Sequence, residues 1–399
     1  GTYFGPDGMI KVADANEPRI EYDPATGELL GLLVEEQRTN LLQYSNELGD
    51  SSWGKAYTSI GSSTVIRGMK LEPLIENTAS ARHFVHQSYS TTDDGTRYWC
   101  GSAVFKKYDA GSVRYPIIYV AWGGDPQSGP RAGVMVDWDE TTYPFTANGA
   151  TLVASGLEPL GDGVYRAWVC VQIGSEHTGP RLVVGIRDSV GSGTLPTTHA
   201  GDGVSGIYLG MLQLEEGRYP TSYIPTEGAT VTRAVDFLPV PVSVFPFNRG
   251  HGTIFADFRS YRPAWAHAGQ VEARATVWTI SDNASGTGNN LLDLFYTNQL
   301  GLSGRNDGSD KTEWLGSQPD PVAFERVAVA FDGSEARISR NGASVTGHNI
   351  PFGLASAVVM RVGNTGASTS SRRVLKGHMR RFTYYPSFLS DDDLKALTA

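Results

Sequence analysis

Cysteine, basic excess, long apolar runs and helical periodicity are all scarce in this 399-residue chain, and each shortage excludes something. Two cysteines cannot build a disulfide framework or a cysteine-based structural zinc site. With 33 Lys+Arg against 42 Asp+Glu the formal net charge is −9 and diffuse, so the basic footprint of a nucleic-acid binder is missing. No apolar run approaches the ~20 residues that span a bilayer, and the opening GTYFGPDGMIKV holds no signal-peptide core. Neither nucleic acid nor membrane insertion is expected.

Catalytic signatures are scarce too. There is no Gly-x-Ser-x-Gly elbow, His-Glu-x-x-His, phosphate-cradling loop or dinucleotide fingerprint. Gly49-Asp50-Ser51 looks like the opening block of one esterase class, but it follows YSNEL rather than a buried apolar strand, and no Asp-x-x-His partner exists. Glycosidases need two carboxylates at a set separation. The best local pair, Asp137 and Asp139 of VDWDET, would stand ~7 Å apart on one strand face. Solvated strand-end carboxylates are the competing explanation. A lyase built on Tyr, His and Arg stays open, because its residues need not be neighbours in sequence.

What is abundant is glycine (47), proline (21) and tryptophan (8), the composition of β-structure with many turns. Val327, Val329 and Phe331 alternate along one strand, Asp332-Gly333 signals a hairpin, and Ala336 to Arg340 returns. Asn341-Gly342 then turns the chain into a third strand, Ala343 to Val345. Short strand patterns fill 253–303 and 98–214 in the same way. One helix is expected, Ser390 to Leu397, with Ser390 as cap and Asp391, Asp392 and Asp393 at the favourable end of the helix dipole. Five prolines in 219–247 mark a boundary between two sandwiches. The expectation is an all-β chain of two antiparallel β-sandwiches: an N-terminal arm (1–40), a first sandwich (41–236), a proline-rich connector (237–250) and a second sandwich (251–399).

Two long segments add a resemblance. PRIEYDPATGELLGLLVEEQRTNLLQYSNELGDSSW (18–53) resembles a stretch of tail-fibre and other virion proteins of tailed bacteriophages that leads into a jelly roll. GIYLGMLQLEEGRYPTSYIPTEGATVTRAVD (206–236) resembles the end of the same module. The jelly roll between them is similar to carbohydrate-binding modules. The remainder, closing on GHMRRFTYYPSFLSDDDLKALT, is similar to concanavalin-A-like, laminin-G-like lectin domains. The framing residues read as structural. The resemblance implies a virion-surface protein, a homotrimer whose N-terminal arm meets other virion proteins, and a host cell-surface glycan as ligand.

Sugar recognition needs aromatic faces for C–H surfaces and planar polar groups for hydroxyls. Loops that combine them hold Trp122 with Asp125, Gln127 and Arg131; Trp138, Asp139 and Tyr143; Trp265 with His267; and Arg305, Asn306, Asp307, Asp310 and Trp314. Trp99 and Trp168 lie inside strand patterns and are assigned to the core. No cofactor is required. A structural calcium ion is the candidate metal, with Asp307 and Asp310 as ligands and Asp282, Asn283, Asn289 and Asn290 as a second oxygen-rich loop; plain turn chemistry competes with it. Cys100 and Cys170 are expected as free buried thiols, with a bridge open should their strands pair. The basic stretch Arg372, Arg373, Lys376, His378, Arg380, Arg381 reads as a solvated strand face or an anion-facing one. The functional expectation is non-catalytic binding of host-surface polysaccharide. A depolymerase, marked by paired carboxylates or a Tyr/His/Arg cluster, and a purely structural virion subunit are the alternatives.

Overall fold

Alternating apolar and polar residues build paired sheets throughout the chain. The computed structural model describes all residues except 92–96, 124–128, 175–178, 192–197, 262–274, 284–289, 298, 308, 318–319, 321–322 and 365–372. They fall into two units: Gly1–Glu17, Tyr22–Glu28 and Arg38–Arg233 in the first; Pro18–Glu21, Leu29–Gln37 and Ala234–Ala399 in the second. The all-β class is as expected, with one α-helix among the described residues.

In the first unit a six-stranded sheet runs in the order Thr142–Ala147, Arg131–Val136, Tyr115–Ala121, Arg181–Arg187, His83–Ser88, Gly54–Ala56. The path of the second sheet is Thr151–Gly161, Val164–Ile173, Arg97–Lys107, Gly206–Glu216, Met69–Glu76, Thr58–Ile60. Every second residue of each sheet enters one core: Ile118, Val120, Val134 and Val184 meet Phe105, Val169, Val171 and Leu212. Burying each such side chain is worth about 1.5–3 kcal/mol. The same period sends Trp168 outward. It lies half-buried opposite Gly156 and Ser102, and not in the core as expected, because Ala167 and Val169 point inward.

The free thiols expected at Cys100 and Cys170 are a disulfide. The two residues are directly opposite on adjacent antiparallel strands, so the pairing register brings their side chains together.

The second unit pairs a sheet in the order Leu238–Pro241, Val359–Val362, Ala275–Ser281, Leu291–Tyr296, Gln299–Asn306, Ser309–Ser317 with one in the order Ile20–Tyr22, Leu29–Val34, Gly377–Tyr385, Gly252–Ser260, Glu325–Phe331, Glu335–Arg340, Thr346–Asn349. Val327, Val329 and Phe331 enter its core as their spacing predicts. The third strand of that meander starts at Thr346, later than the expected Ala343. Segments read as arm and connector carry strands. Leu29–Val34 pairs with Gly377–Tyr385, and Leu238–Pro241 takes a sheet edge, where Pro239 and Pro241 cost the fewest ladder bonds. The helix Asp391–Thr398 is capped by Ser390, whose Oγ accepts from Asp393 N at 3.2 Å.

The framing motifs close each unit on itself. In the second, Arg19 binds Glu35 at 2.7 Å and Asp236 at 2.5 Å, and Glu35 N donates to Asp236 Oδ2. In the first, Asn40 Nδ2 donates to the carbonyls of Leu212 and Ile224, while Glu215 accepts from Thr221 N and Oγ1.

Candidate functional site

The outer face of the second unit's six-stranded sheet gathers the largest share of the described residues singled out in sequence. Leu292, Leu294 and Tyr296 point into the core, so Leu291, Asp293 and Phe295 point out. Cross-strand register then lays three rows over this face. Thr276, Phe295, Gly301 and Trp314 form one. Arg361, Thr279, Asp293, Ser303 and Thr312 form the next. Ser281, Leu291, Arg305 and Asp310 form the third.

Trp314 is 49% exposed on the edge strand. Its indole lies over Gly301, where an added Cβ would come within 3.2 Å of the ring, and Phe295 meets it edge-to-face at 5.7 Å. The same Cβ would come within 2.8 Å of the Phe295 ring, so a glycine there makes room for both aromatics. Arg305 grips Asp310 with Nε and Nη2, the latter at 2.8 Å, and each group holds the other's plane fixed. Thr312 donates to Ser303 at 3.1 Å between the pair and the indole. Deeper on the face, Thr276 Oγ1 and Thr279 Oγ1 are buried with no hydrogen-bond partner.

The oxygen-rich loops meet through Asn290, whose N and Nδ2 donate to Asp282 Oδ2 and whose Oδ1 accepts from Asp307 N. Asp310 is committed to Arg305, whose charge also acts on Asp282, so the same guanidinium opposes a cation at both carboxylates.

The first unit offers a different concavity. A cavity of about 500 Å³ opens beside the strand His83–Ser88, lined by Gln43, Ser52, His86, Ser88, Tyr89 and Thr230 among others. Gln87 pins its floor: Oε1 accepts from Gln43 N at 2.6 Å, and Nε2 donates to Gln43 O and Ser52 Oγ. Gly54 is required beneath, since a Cβ would collide with the His86 ring. None of its described lining residues is a carboxylate, lysine or arginine, so it suits a neutral, hydroxyl-rich guest.

The other predicted residues disperse. Trp122 is 4% exposed in the core, and its ring offers solvent no face. Arg131 is buried with Nη1 donating to Gly129 O at 2.7 Å. Trp138 turns its Nε1 to Arg114 O at 2.7 Å, and Tyr143 packs beside the cluster of Tyr119, Met135 and Phe145. Asp137 and Asp139 do not share a strand face. The strand ends at Val136, and Asp139 closes a turn by accepting from Thr141 N, which lowers its pKa. Asp125, Gln127, Trp265, His267, Asn289 and Arg372 lie outside the described residues. The basic stretch is partly neutralised: Lys376 pairs with Glu36 and Arg380 with Asp257, while Arg373 and Arg381 are exposed.

One further cluster could offer metal ligands. Glu76, His83 and His199 are buried and place ligand atoms within 4.8 Å of one another. Glu76 is already engaged by Arg114 (2.6 and 2.9 Å), His199 Nε2 (2.8 Å) and Asp202 N (3.0 Å). Burial would raise its pKa, but these bonds outweigh it and hold the carboxyl below its ordinary value. A guanidinium in contact with both oxygens disfavours a cation, so the geometry suits a buried ionic brace.

No family model and no curated protein matches the sequence. Solved structures show likenesses. The CBM40 of the Ruminococcus gnavus IT-sialidase, bound to α2,3 sialyllactose, aligns over 41% of this chain and 95% of its own at 19% identity, TM-score 0.33. The native heptameric SAP-like pentraxin from Limulus polyphemus aligns over 41% and 73% at 10% identity, TM-score 0.30. Domains LG4-5 of the mouse laminin α1 chain align over 76% and 86% at 11% identity, TM-score 0.26. At such values none transfers a ligand or an activity.

Proposed function

We propose that this protein binds glycan on the outer face of the second unit's six-stranded sheet. The observation that carries the reading is the half-exposed Trp314 indole packed beside Gly301 and Phe295, next to the Arg305–Asp310 pair and the Ser303–Thr312 hydroxyls. The ring supplies a stacking face for sugar C–H groups. The planar ion pair and the Thr312 hydroxyl supply directional partners. The first unit's neutral cavity supports a second, separate sugar subsite.

The two framing motifs support placing the protein on the surface of a tailed-phage virion, in several copies, with host cell-surface polysaccharide as its partner. Weak single sites would then gain by effective concentration. The disulfide fits work outside a reducing cytosol. We further propose the oxygen-rich loops of Asp282, Asp307 and Asp310 as the place for a structural calcium ion; a calcium-dependent rise in thermal stability that Asp282→Asn abolishes would support it. The main test is a glycan array probed with multivalent wild-type protein and Trp314→Ala. Wild type should bind a defined set and the variant should lose it. Absence of any glycan or host-cell binding at every valency would refute the reading.

A further inference from the structure

The second unit holds a group of side chains that sugar binding does not use. His378, on the strand Gly377–Tyr385, is fully buried. Its Nε2 lies 2.7 Å from Glu21 Oε2 and its Nδ1 lies 2.5 Å from the Tyr261 hydroxyl. A carboxylate on Nε2 fixes the tautomer: Nε2 carries the hydrogen and Nδ1 accepts from the phenol. Tyr261 itself is 37% exposed. Its oxygen also accepts from Arg259 Nη2 at 2.6 Å. So a surface phenol has a base on one side, oriented by a third group behind it, and a cation on the other, the arrangement that activates a proton-transfer group.

Arg259 sharpens the assignment. Nearby arginines are neutralised: Asp257 pairs with both Arg380 and Arg326. Arg259 has no carboxylate partner among the described residues; it packs over the rings of Tyr261 and Phe324, and its Nε is buried without a hydrogen-bond acceptor. A guanidinium kept unpaired beside an activated phenol is suited to an incoming carboxylate.

We propose that Tyr261, His378, Glu21 and Arg259 form an acid–base site that cleaves uronate-containing polysaccharide by β-elimination. The Tyr261 proton passes to His378 Nδ1, and Glu21 balances the imidazolium. The phenolate oxygen removes the proton from C5 of a uronate whose carboxylate is held by Arg259. The C5–H electron pair forms the C4=C5 double bond, the C4–O glycosidic bond breaks, and Tyr261 returns the proton to the departing oxygen. No water, oxidant or reductant is consumed. Tyr261 and Arg259 are the catalytic residues; His378 and Glu21 are positioning residues.

The test incubates the full chain with alginate, polygalacturonate, hyaluronan and chondroitin and follows the ultraviolet absorbance of the new double bond. At least one polymer should yield unsaturated ends, and Tyr261→Phe should lower the rate by about 100-fold or more. His378→Gln should shift the rise of activity with pH to higher pH, which a merely structural histidine would not do. Array binding through Trp314 should survive in Tyr261→Phe, which shows that this variant is folded and keeps the two readings separable. No unsaturated product from any of these polymers with array-positive protein would overturn the proposal, as would full activity in Tyr261→Phe. A His378→Gln variant that is slower at an unmoved pH profile would overturn the relay.

Discussion

The two units solve the same packing problem and present different chemistry. Both close two antiparallel sheets over one apolar core. The first then encloses its polar groups: a neutral cavity, a Glu76–Arg114–His199 brace, and tryptophans Trp99 and Trp122 spent on the core. The second leaves an indole, an ion pair and a phenol at the surface. An aromatic residue beside a Gly/Asp-rich loop can therefore be core or exposed surface. What separates Trp122 from Trp314 is strand position: Trp122 follows an interior strand and inherits its inward face, while Trp314 sits on an edge strand above a glycine.

Substitutions that strike only one unit test that contrast. The largest effect is expected from Trp122→Ala, about 3–5 kcal/mol of stability lost from the first unit, read as its own step in thermal unfolding. Glu76→Gln comes close behind. It leaves the buried Arg114 with only the longer pairing to Asp202 at 3.6 Å, for about 3 kcal/mol. Removing the bridge with Cys100→Ser and Cys170→Ser frees a 70-residue separation and should cost about 2–4 kcal/mol in the same unit.

Acid should act on both units. Burial raises the Glu76 and Glu325 carboxyls, but hydrogen bonds from Arg114 and from Arg340 prevail and hold each below its ordinary value. A carboxyl depressed in the folded state stabilises fully above its unfolded pKa, near 4.3, and loses that contribution as pH falls toward the folded value. Denaturation followed down a pH series should therefore show both units weakening below about pH 4. Glu76→Gln should flatten the response of the first unit only. The smallest stability effect belongs to Trp314→Ala, within about 0.5 kcal/mol, because an exposed ring on an edge strand supports little.

Much of this fold was legible in the residues. Val327, Val329 and Phe331 with Asp332-Gly333 specify a hairpin locally, and Ser390 with three aspartates specifies the helix. The segments read as arm and connector were harder, because Leu29–Val34 and Leu238–Pro241 become strands only through partners far along the chain. The disulfide was hidden for the same reason: 70 residues separate two cysteines that register places opposite each other. At the candidate site, Trp314, Arg305 and Asp310 were recognisable by type. Thr276, Thr279, Asp293 and Ser303 were missed, although a signal existed. The lone aspartate in LLDLFY and the threonines of ATVWTIS are polar residues inside apolar strands, and such residues mark an outer face that is itself buried. Tyr261, His378 and Glu21 carried no such signal, being 117 and 357 residues apart in sequence.

The most direct measurement is calorimetric titration of the strongest array ligand into wild-type, Trp314→Phe and Trp314→Ala protein. Stacking on the indole predicts binding at least about tenfold weaker in the alanine variant and partial retention in the phenylalanine one. Equal affinity in all three proteins would contradict the assignment of glycan binding to this face.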